Sequence, residues 1–203
     1  MSQLKLTADS GGGTVAIKGP ASTTGNAALD LTVPGTASAT LDTLKRAGNI
    51  LQVQSVTKTD TFTSSGTASW TDVTGLSVSI TPSSSSNKIL VLYDLSWNTG
   101  DAHATCRLLR DSTLIKVGDT ASNRTRSTGN LNGTNTYDQY DIEQVAGTFM
   151  DSPSSTSSLT YKWQVATVHS SGYTVYVNRT PHDGDQNYNG RTASSITVME
   201  VAA

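Results

Sequence analysis

Apolar side chains recur at every second position along much of this chain, and this alternation limits the folds that the chain can adopt. Residues 88–97 are the strongest example. One face of that segment would carry Ile89, Val91, Tyr93, Leu95 and Trp97. Leu90 and Leu92 would lie on the other face. A period of two residues predicts a β-strand, and a strand that is apolar on both faces is central in its sheet or lies against a neighbouring subunit.

The last strand-like segment, residues 193–201, has the same property. Ile196 and Val198 share one face, and Met199 and Val201 share the other. We therefore expect this strand to lie inside the fold or at the axis of an oligomer.

Short strands separated by turn residues fill the chain after residue 49. The predicted strands are 50–63, 68–72, 75–81, 88–97, 104–110, 112–117, 137–150, 159–168, 173–180 and 193–201. Asn189-Gly190 predicts a type I′ hairpin turn before the last strand, because that turn needs positive φ at both positions. Ser and Thr exceed a quarter of the residues while only two glutamates occur, which favours strands over helices. About ten short strands with turns roughly every 8–12 residues predict an all-β fold, an antiparallel jelly-roll-like sandwich.

The chain changes character near residue 50. Residues 1–50 contain short β-like pieces interrupted by glycine-rich stretches, too short to bury a core alone. Residues 40–48 (TLDTLKRAG) predict about two helical turns that act as a hinge. We therefore divide the chain into an N-terminal attachment segment, 1–50, and a β-sandwich domain, 51–203.

Composition argues against several classes of protein. A net charge of −2 gives no basic surface for nucleic acid. The single cysteine, Cys106, cannot form an internal disulfide. No apolar run approaches the roughly 18 residues of a membrane span, and the sequence MSQLKLTADS lacks the apolar region of a signal peptide. We expect a protein made in a cytoplasm, with no membrane insertion.

Several phrases of the sequence, in combination, resemble the C-terminal domains of tail-fibre-like virion proteins of bacteriophages. They are AGNILQVQSVTKTDTFTSS, RLLRDSTLI, DSPSSTSSLTYKWQV, YVNRT and SSITVMEVAA, and the resemblance covers about residues 47–203. It implies a trimeric virion appendage whose knob is similar to the trimeric jelly rolls of complement C1q and tumour necrosis factor. The family has no fixed motif of functional residues, so the resemblance implies none here.

The N-terminal pieces also look like the short shaft or attachment repeats of such proteins. Their apolar residues alternate, which suits addition to another sheet with one face buried. The predicted anchoring residues are Leu4, Leu6, Val15, Ile17, Leu29, Leu31 and Val33. Their partner would be another virion protein of the capsid or tail.

The stretch HDGDQNYNG, residues 182–190, is the strongest candidate for a metal site. Asp185, Asn187 and Asn189, followed by Gly190, fit the opening of a calcium loop. The closing glutamate of that motif should stand at position 196, which is Ile196. Because Asp, Asn and Gly are also the residues of exposed turns, we interpret the stretch as a turn and keep calcium as the alternative.

Candidates for catalysis are few. His103, His169 and His182 all fall in loops rich in Gly, Ser and Asp, without a nucleophile elbow or the spacing of metal ligands. We therefore predict a protein that is not an enzyme and needs no cofactor.

Two further groups of residues could contact a partner. Arg107, Arg110, Arg124 and Arg126 are close in sequence and could pair with acidic groups, although solvated strand faces are the simpler interpretation. The aromatic residues Trp97, Tyr137, Tyr140, Tyr173 and Tyr188 could stack on sugar rings, although packing in a core or interface is the default.

Three functional hypotheses follow. The first is a homotrimeric fibre- or spike-like appendage of the virion that contacts a host surface glycan or another surface molecule. The second is a capsid decoration protein that binds the shell through residues 1–50. The third is a depolymerase of surface polysaccharide. We favour the first.

Overall fold

The computed structural model describes residues 4–7, 14–17, 46–65, 69–100, 103–132, 138–168 and 173–203. The packing of Cα atoms divides the chain into two units, Met1–Asp42 and Thr43–Ala203. In the first unit, strands β1 (Leu4–Thr7) and β2 (Thr14–Ile17) pair in antiparallel fashion, with Leu4 opposite Ile17 and Leu6 opposite Val15. The remaining anchoring candidates, Leu29, Leu31 and Val33, lie outside the described residues.

The second unit is built from eleven described strands in two antiparallel sheets. The strands are β3 (Ile50–Lys58), β4 (Phe62–Ser65), β5 (Thr71–Ile80), β6 (Lys88–Asn98), β7 (His103–Arg110), β8 (Thr113–Ile115), β9 (Gly129–Asn132), β10 (Glu143–Asp151), β11 (Leu159–Thr167), β12 (Thr174–Val177) and β13 (Ser194–Val201). The larger sheet has the order β3-β13-β6-β12-β4, and β10 also pairs with β6. The smaller sheet has the order β5-β11-β7-β8, and β9 also pairs with β7. The predicted all-β antiparallel sandwich is confirmed, and its jelly-roll-like connectivity stays a prediction.

Strand β6 lies at the centre of the larger sheet, as its two apolar faces predicted. It pairs with β10 along one edge and with β13 and then β12 along the other. Its inward side chains, Ile89, Val91, Tyr93, Leu95 and Trp97, are all buried. The last strand, β13, lies between β3 and β6, so its expected position inside the fold is also confirmed.

Several predicted strand limits are wrong. The segment 50–63 is divided into β3 and β4, and the two segments 68–72 and 75–81 are one strand, β5. Gly75 allows this continuity: its φ of 82° suits a bulge, and the register between β5 and β11 shifts at that level. The predicted strand 137–150 begins only at Glu143, because a 3-10 turn occupies Asp138–Tyr140.

The core lies between the two sheets and is dominated by large side chains. Trp97, Trp163 and Tyr161 are the largest fully buried residues. Tyr93 of the larger sheet meets Trp163 of the smaller sheet edge to face, with ring centroids 5.5 Å apart and planes at 78°. Burying each side chain of this size stabilises the fold by roughly 1.5–3 kcal/mol, and an aromatic pair in this geometry adds roughly 0.5–1.5 kcal/mol.

A buried ion pair also joins the two sheets. Nη1 of Arg110, in β7, lies 2.6 Å from both carboxylate oxygens of Asp151, in β10. The hydroxyl of Tyr161, in β11, donates to Asp151 Oδ2 at 2.7 Å. Burial would lower the pKa of Arg110, but the bonds to Asp151 outweigh it and raise that pKa. The carboxylate is therefore held by donors from two strands of the opposite sheet, the condition under which a buried charge is tolerated.

A second buried carboxylate, Glu200, fixes the serine-rich loop between β5 and β6. Its Oε1 accepts bonds from the amide and hydroxyl of Ser83, at 2.6 and 2.8 Å, and from Asn87 Nδ2 at 2.6 Å. Its Oε2 accepts a bond from Gln52 Nε2 at 2.6 Å. Glu200 is only 1% exposed. The loop TPSSSSN, residues 81–87, is thus held against β13 by a side chain more than a hundred positions away in sequence.

We predict that Glu200→Ala lowers the free energy of unfolding by about 1–3 kcal/mol, because it removes the acceptor that Ser83, Gln52 and the buried Asn87 share. Urea titration followed by tryptophan fluorescence measures the change. Glu143→Ala is the matched control, since Glu143 is the other glutamate of the chain and is exposed. It should change stability by no more than about 0.5 kcal/mol.

The Glu200 contribution should also depend on pH. Burial would raise the pKa of Glu200, but the hydrogen bonds from Asn87, Gln52 and Ser83 together hold it below its ordinary value. A carboxyl group whose pKa is lowered by folding stabilises the protein fully above its ordinary pKa, and the effect is lost as the pH falls through the folded-state pKa. The stability difference between the wild type and Glu200→Ala should therefore shrink in acid. A difference that stays constant would contradict this account.

Candidate functional site

The long loop between β12 and β13, residues 178–193, contains the three calcium candidates together with His182 and Tyr188. Asn178 fixes its base: it is fully buried and adopts a positive φ of 61°. Its Nδ2 donates to the carbonyl of Lys58 at 2.8 Å, and its Oδ1 accepts a bond from Ser194 Oγ at 2.6 Å. Asparagine tolerates the left-handed region, and here its side chain joins the two ends of the loop.

Ion pairs and hydrogen bonds within the loop stabilise its conformation. Asp183 lies 3.2 Å from Arg179 and 2.5 Å from Arg191, and the two arginines form an isolated β-bridge. Asn189 Nδ2 donates to the carbonyl of Gly184 at 2.6 Å. Because Asp183 is about half exposed, each ion pair stabilises the loop by no more than roughly 1 kcal/mol.

The predicted type I′ turn at Asn189-Gly190 is wrong. Neither residue has a positive φ, and β12 does not pair with β13 in the described sheets. The side chain of Asn189 donates to the carbonyl of Gly184, and the backbone N–H of Asn189 donates to the carbonyl of Gln186 at 3.0 Å. These contacts form a compact turn that ends at Asn189, so Asn-Gly is not at the tip of a hairpin.

The three calcium candidates are only partly drawn together. Asp185 and Asn187 are exposed, while Asn189 donates through Nδ2 within the loop and its buried Oδ1 has no hydrogen-bond partner among the described residues. Among the described residues, no group of three or more His, Cys, Asp or Glu side chains is placed to hold a metal ion. A calcium site at Asp185, Asn187 and Asn189 stays a prediction.

An aromatic cluster lies beside this loop. The ring of Tyr140 is 5.4 Å from that of His182 and 5.4 Å from that of Tyr188. The backbone amide of His182 donates to the carbonyl of Gln139 at 2.9 Å, which joins the loop to the 3-10 turn. An adjacent cavity of about 330 Å³ is lined by Thr99, Gly100, Gln139, Tyr173, Thr174, Tyr176, Pro181 and His182.

The structure separates the other aromatic and histidine candidates. Trp97 is 1% exposed and belongs to the core, so it is not available for stacking on a sugar. His103 begins β7 and is exposed. Tyr137 and His169 lie outside the described residues.

Two of the four arginine candidates, both in β7 of the smaller sheet, contact neighbouring side chains. Arg107 lies over the ring of Trp70, 3.8 Å from its centroid, and its Nε donates to Gln164. Arg110 is paired with Asp151. The interpretation as solvated strand faces is wrong for these two, because both side chains pack against neighbours. Arg124 and Arg126 are exposed in the loop between β8 and β9.

The outer face of the larger sheet carries a feature that the sequence pattern did not reveal in full. Met199 of β13 lies opposite Val53 of β3 and Leu90 of β6, and Leu90 lies opposite Met150 of β10. We call these four residues the apolar row. Leu90 and Met199 alternate with buried residues of β6 and β13, so this row points away from the core. Val53 is 50% exposed and Met150 45%.

The apolar row is bordered on one side by Lys88, which lies opposite Val201, and on the other side by an uncharged row. The next register row contains Ser55, Thr197, Leu92 and Thr148. One row further, Asp94 accepts a hydrogen bond from Ser195. A sheet face with an apolar centre and hydroxyl-bearing flanks is suited to being covered by another protein surface.

We predict that the loop depends on Asn189 and not on calcium. Asn189→Ala should lower the melting temperature because the Gly184 carbonyl loses one of its two donors and keeps the backbone amide of Gln186, whereas Asp185→Ala should not. Adding calcium or EDTA should leave the melting temperature of both variants and of the wild type unchanged. A rise with calcium that Asp185→Ala abolishes would establish the metal site instead, since an ion that binds only the folded state stabilises it.

In the part of the chain that the structure describes, no helix is long and apolar enough to cross a membrane.

No family model and no curated protein matches the chain. Among solved structures, it is similar to those of infectious bursal disease virus. The Gt strain structure is 17% identical with a TM-score of 0.40, over 94% of this chain and 45% of that one. The virus-derived T=1 particle and the VP2 subviral particle are each 18% identical with a TM-score of 0.38, over 94% of this chain and 45% and 47% of theirs. This chain thus spans less than half the length of those chains, and TM-scores this low assign neither a fold family nor a function.

Proposed function

We propose that this chain is a non-enzymatic structural protein of a bacteriophage particle. It acts as a homotrimeric, fibre- or spike-like appendage that attaches through residues 1–50 and exposes the β-sandwich to the host surface. The observation that carries the proposal is the apolar row, Val53, Met199, Leu90 and Met150, on the outer face of the larger sheet.

A second copy of this chain is the occupant that best suits the apolar row. Fully burying each of its side chains is worth roughly 1.5–3 kcal/mol, so leaving Val53 and Met150 about half exposed forgoes part of that stabilisation. The charged residues near it on this face are Lys88, in the row on one side, and Asp94, two rows away on the other side, and these carry opposite charges. The resemblance to trimeric jelly rolls supports three copies around one axis.

The interior supports a structural role over a catalytic one. The buried carboxylates Glu200 and Asp151 are each engaged by several donors that fix loops or sheets. Cys106 is fully buried, and burial raises the pKa of its thiol, so it stays protonated and a poor nucleophile. These groups are used to hold the fold together.

We predict that the purified protein is a trimer with a mass about three times the 21.3 kDa of one chain. Val53→Lys or Met150→Lys should convert it to a monomer, because each places a charge in the apolar interface. Light scattering coupled to size exclusion measures the mass, and circular dichroism confirms that each variant is folded. Val168→Lys is the control: Val168 is 47% exposed but lies outside the apolar row, so this variant should stay trimeric. A wild-type monomer that persists at high concentration would refute the proposal.

The attachment role of residues 1–50 has a separate test. Deleting residues 1–40 removes both described strands of the first unit and no described strand of the second. We expect the truncated protein to fold and to form its oligomer but to be absent from purified particles. Unfolding of the truncated protein would show that the segment belongs to the core. Antibody labelling in electron micrographs of particles distinguishes an appendage from a decoration of the capsid shell.

A further inference from the structure

A cleft of about 740 Å³ lies on the side of the sandwich where β8 ends the smaller sheet and β10 borders the larger one. Strand β8, residues 116–118 and residues 126–128 form its wall on the smaller-sheet side. Phe149, Asp151 and Ser152, at the end of β10, complete the lining. The volume falls within the roughly 300–1,000 Å³ of pockets that hold small ligands.

Positive charge predominates in this cleft, although the chain carries a net charge of −2. Arg110, Lys116 and Arg126 line it, and Asp151 is the only carboxylate among the described lining residues. Asp151 is already engaged by Arg110 and Tyr161. Two cationic side chains, Lys116 and Arg126, therefore remain to attract a negatively charged group, and a cleft concentrates their field.

One hydrogen bond constrains the exposed side chain of Arg126. Its Nε donates to the carbonyl of Gly118, 2.7 Å away across the loop. The described residues offer no partner to its two terminal amino groups or to the ammonium of Lys116. A guanidinium fixed through Nε presents its terminal amino groups as a fork, the geometry that matches a carboxylate.

The rest of the lining combines apolar and hydroxyl-bearing side chains. Leu114, Ile115, Val117 and Phe149 supply apolar surface, while Thr113, Ser127, Thr128 and Ser152 supply hydroxyl groups. Sugar rings have both apolar C–H faces and hydroxyl edges, so they suit a lining of this kind better than a small inorganic anion does.

We propose that this cleft binds a carboxylate-bearing saccharide, such as a uronic acid unit of an acidic polysaccharide, with Arg126 and Lys116 contacting its carboxylate. The cleft lies within a single sandwich, so binding does not depend on the trimer or on the place of the protein in a particle.

The test is isothermal titration calorimetry of the full chain with trigalacturonate and with its fully methyl-esterified form, which has the same rings without charge. Trigalacturonate should bind at least about tenfold more tightly than the ester, because hydrogen bonds to a charged group are the stronger ones. Arg126→Gln should weaken trigalacturonate binding about tenfold. Arg124→Gln should leave it unchanged: the same charge is lost two positions away, at a residue that lines another cavity.

Four results would overturn the proposal. If the ester binds as tightly as trigalacturonate, or neither binds at millimolar concentration, the cleft does not recognise the carboxylate. If Arg124→Gln weakens binding as much as Arg126→Gln, the effect comes from general charge and not from this cleft. If sodium phosphate binds as tightly as trigalacturonate, the cleft is a plain anion site without selectivity for a saccharide.

Discussion

Strand β6 must be covered on both faces, and the rest of the structure depends on how this is done. Its inward residues are buried by the smaller sheet, with Tyr93 and Trp163 in direct contact. Its two edges are paired with β10 and β13. Its outward residues are not fully covered within one chain. One of them, Leu90, is in register with apolar residues of three other strands, and together these four residues form the apolar row. The proposed trimer supplies that cover, so one constraint links the core to the assembly.

The buried polar groups have a common role. Glu200 holds the loop between β5 and β6, Asp151 joins the two sheets, and Asn178 closes the base of the loop after β12. Each uses nearly all of its hydrogen-bonding capacity, which offsets the cost of removing a polar group from water. The loops can consist largely of Ser and Thr because a few long-range hydrogen bonds from these buried groups fix the loop conformations. Anchors of this kind fix the shape of the loops, as suits the proposed role in assembly and binding.

Local sequence pattern predicted the sandwich, the central place of β6 and the interior place of β13, since alternation directly reports which faces are buried. It failed where distant contacts decide the conformation. The turn at Asn189 is set by Gly184, and Gly75 carries β5 through a bulge where a break between two strands was predicted. The sites could not be predicted for the same reason. Asp151 and Arg110 are 41 positions apart and Ser83 and Glu200 117 apart, and the apolar row appears only once the register of four strands is known.

The central claim, that a second copy covers the apolar row, is tested most directly by the methyl groups of its two methionines. The chain has only three methionines, and Met150 and Met199 both belong to the row. In NMR spectra of methyl-labelled protein, with assignments from Met150→Leu and Met199→Leu, a water-soluble paramagnetic agent should leave both signals sharp in the wild type. It should broaden both in Val53→Lys, in which the row is exposed. Equal broadening of the two signals in the wild type and in Val53→Lys would show that the row faces solvent and would contradict the account.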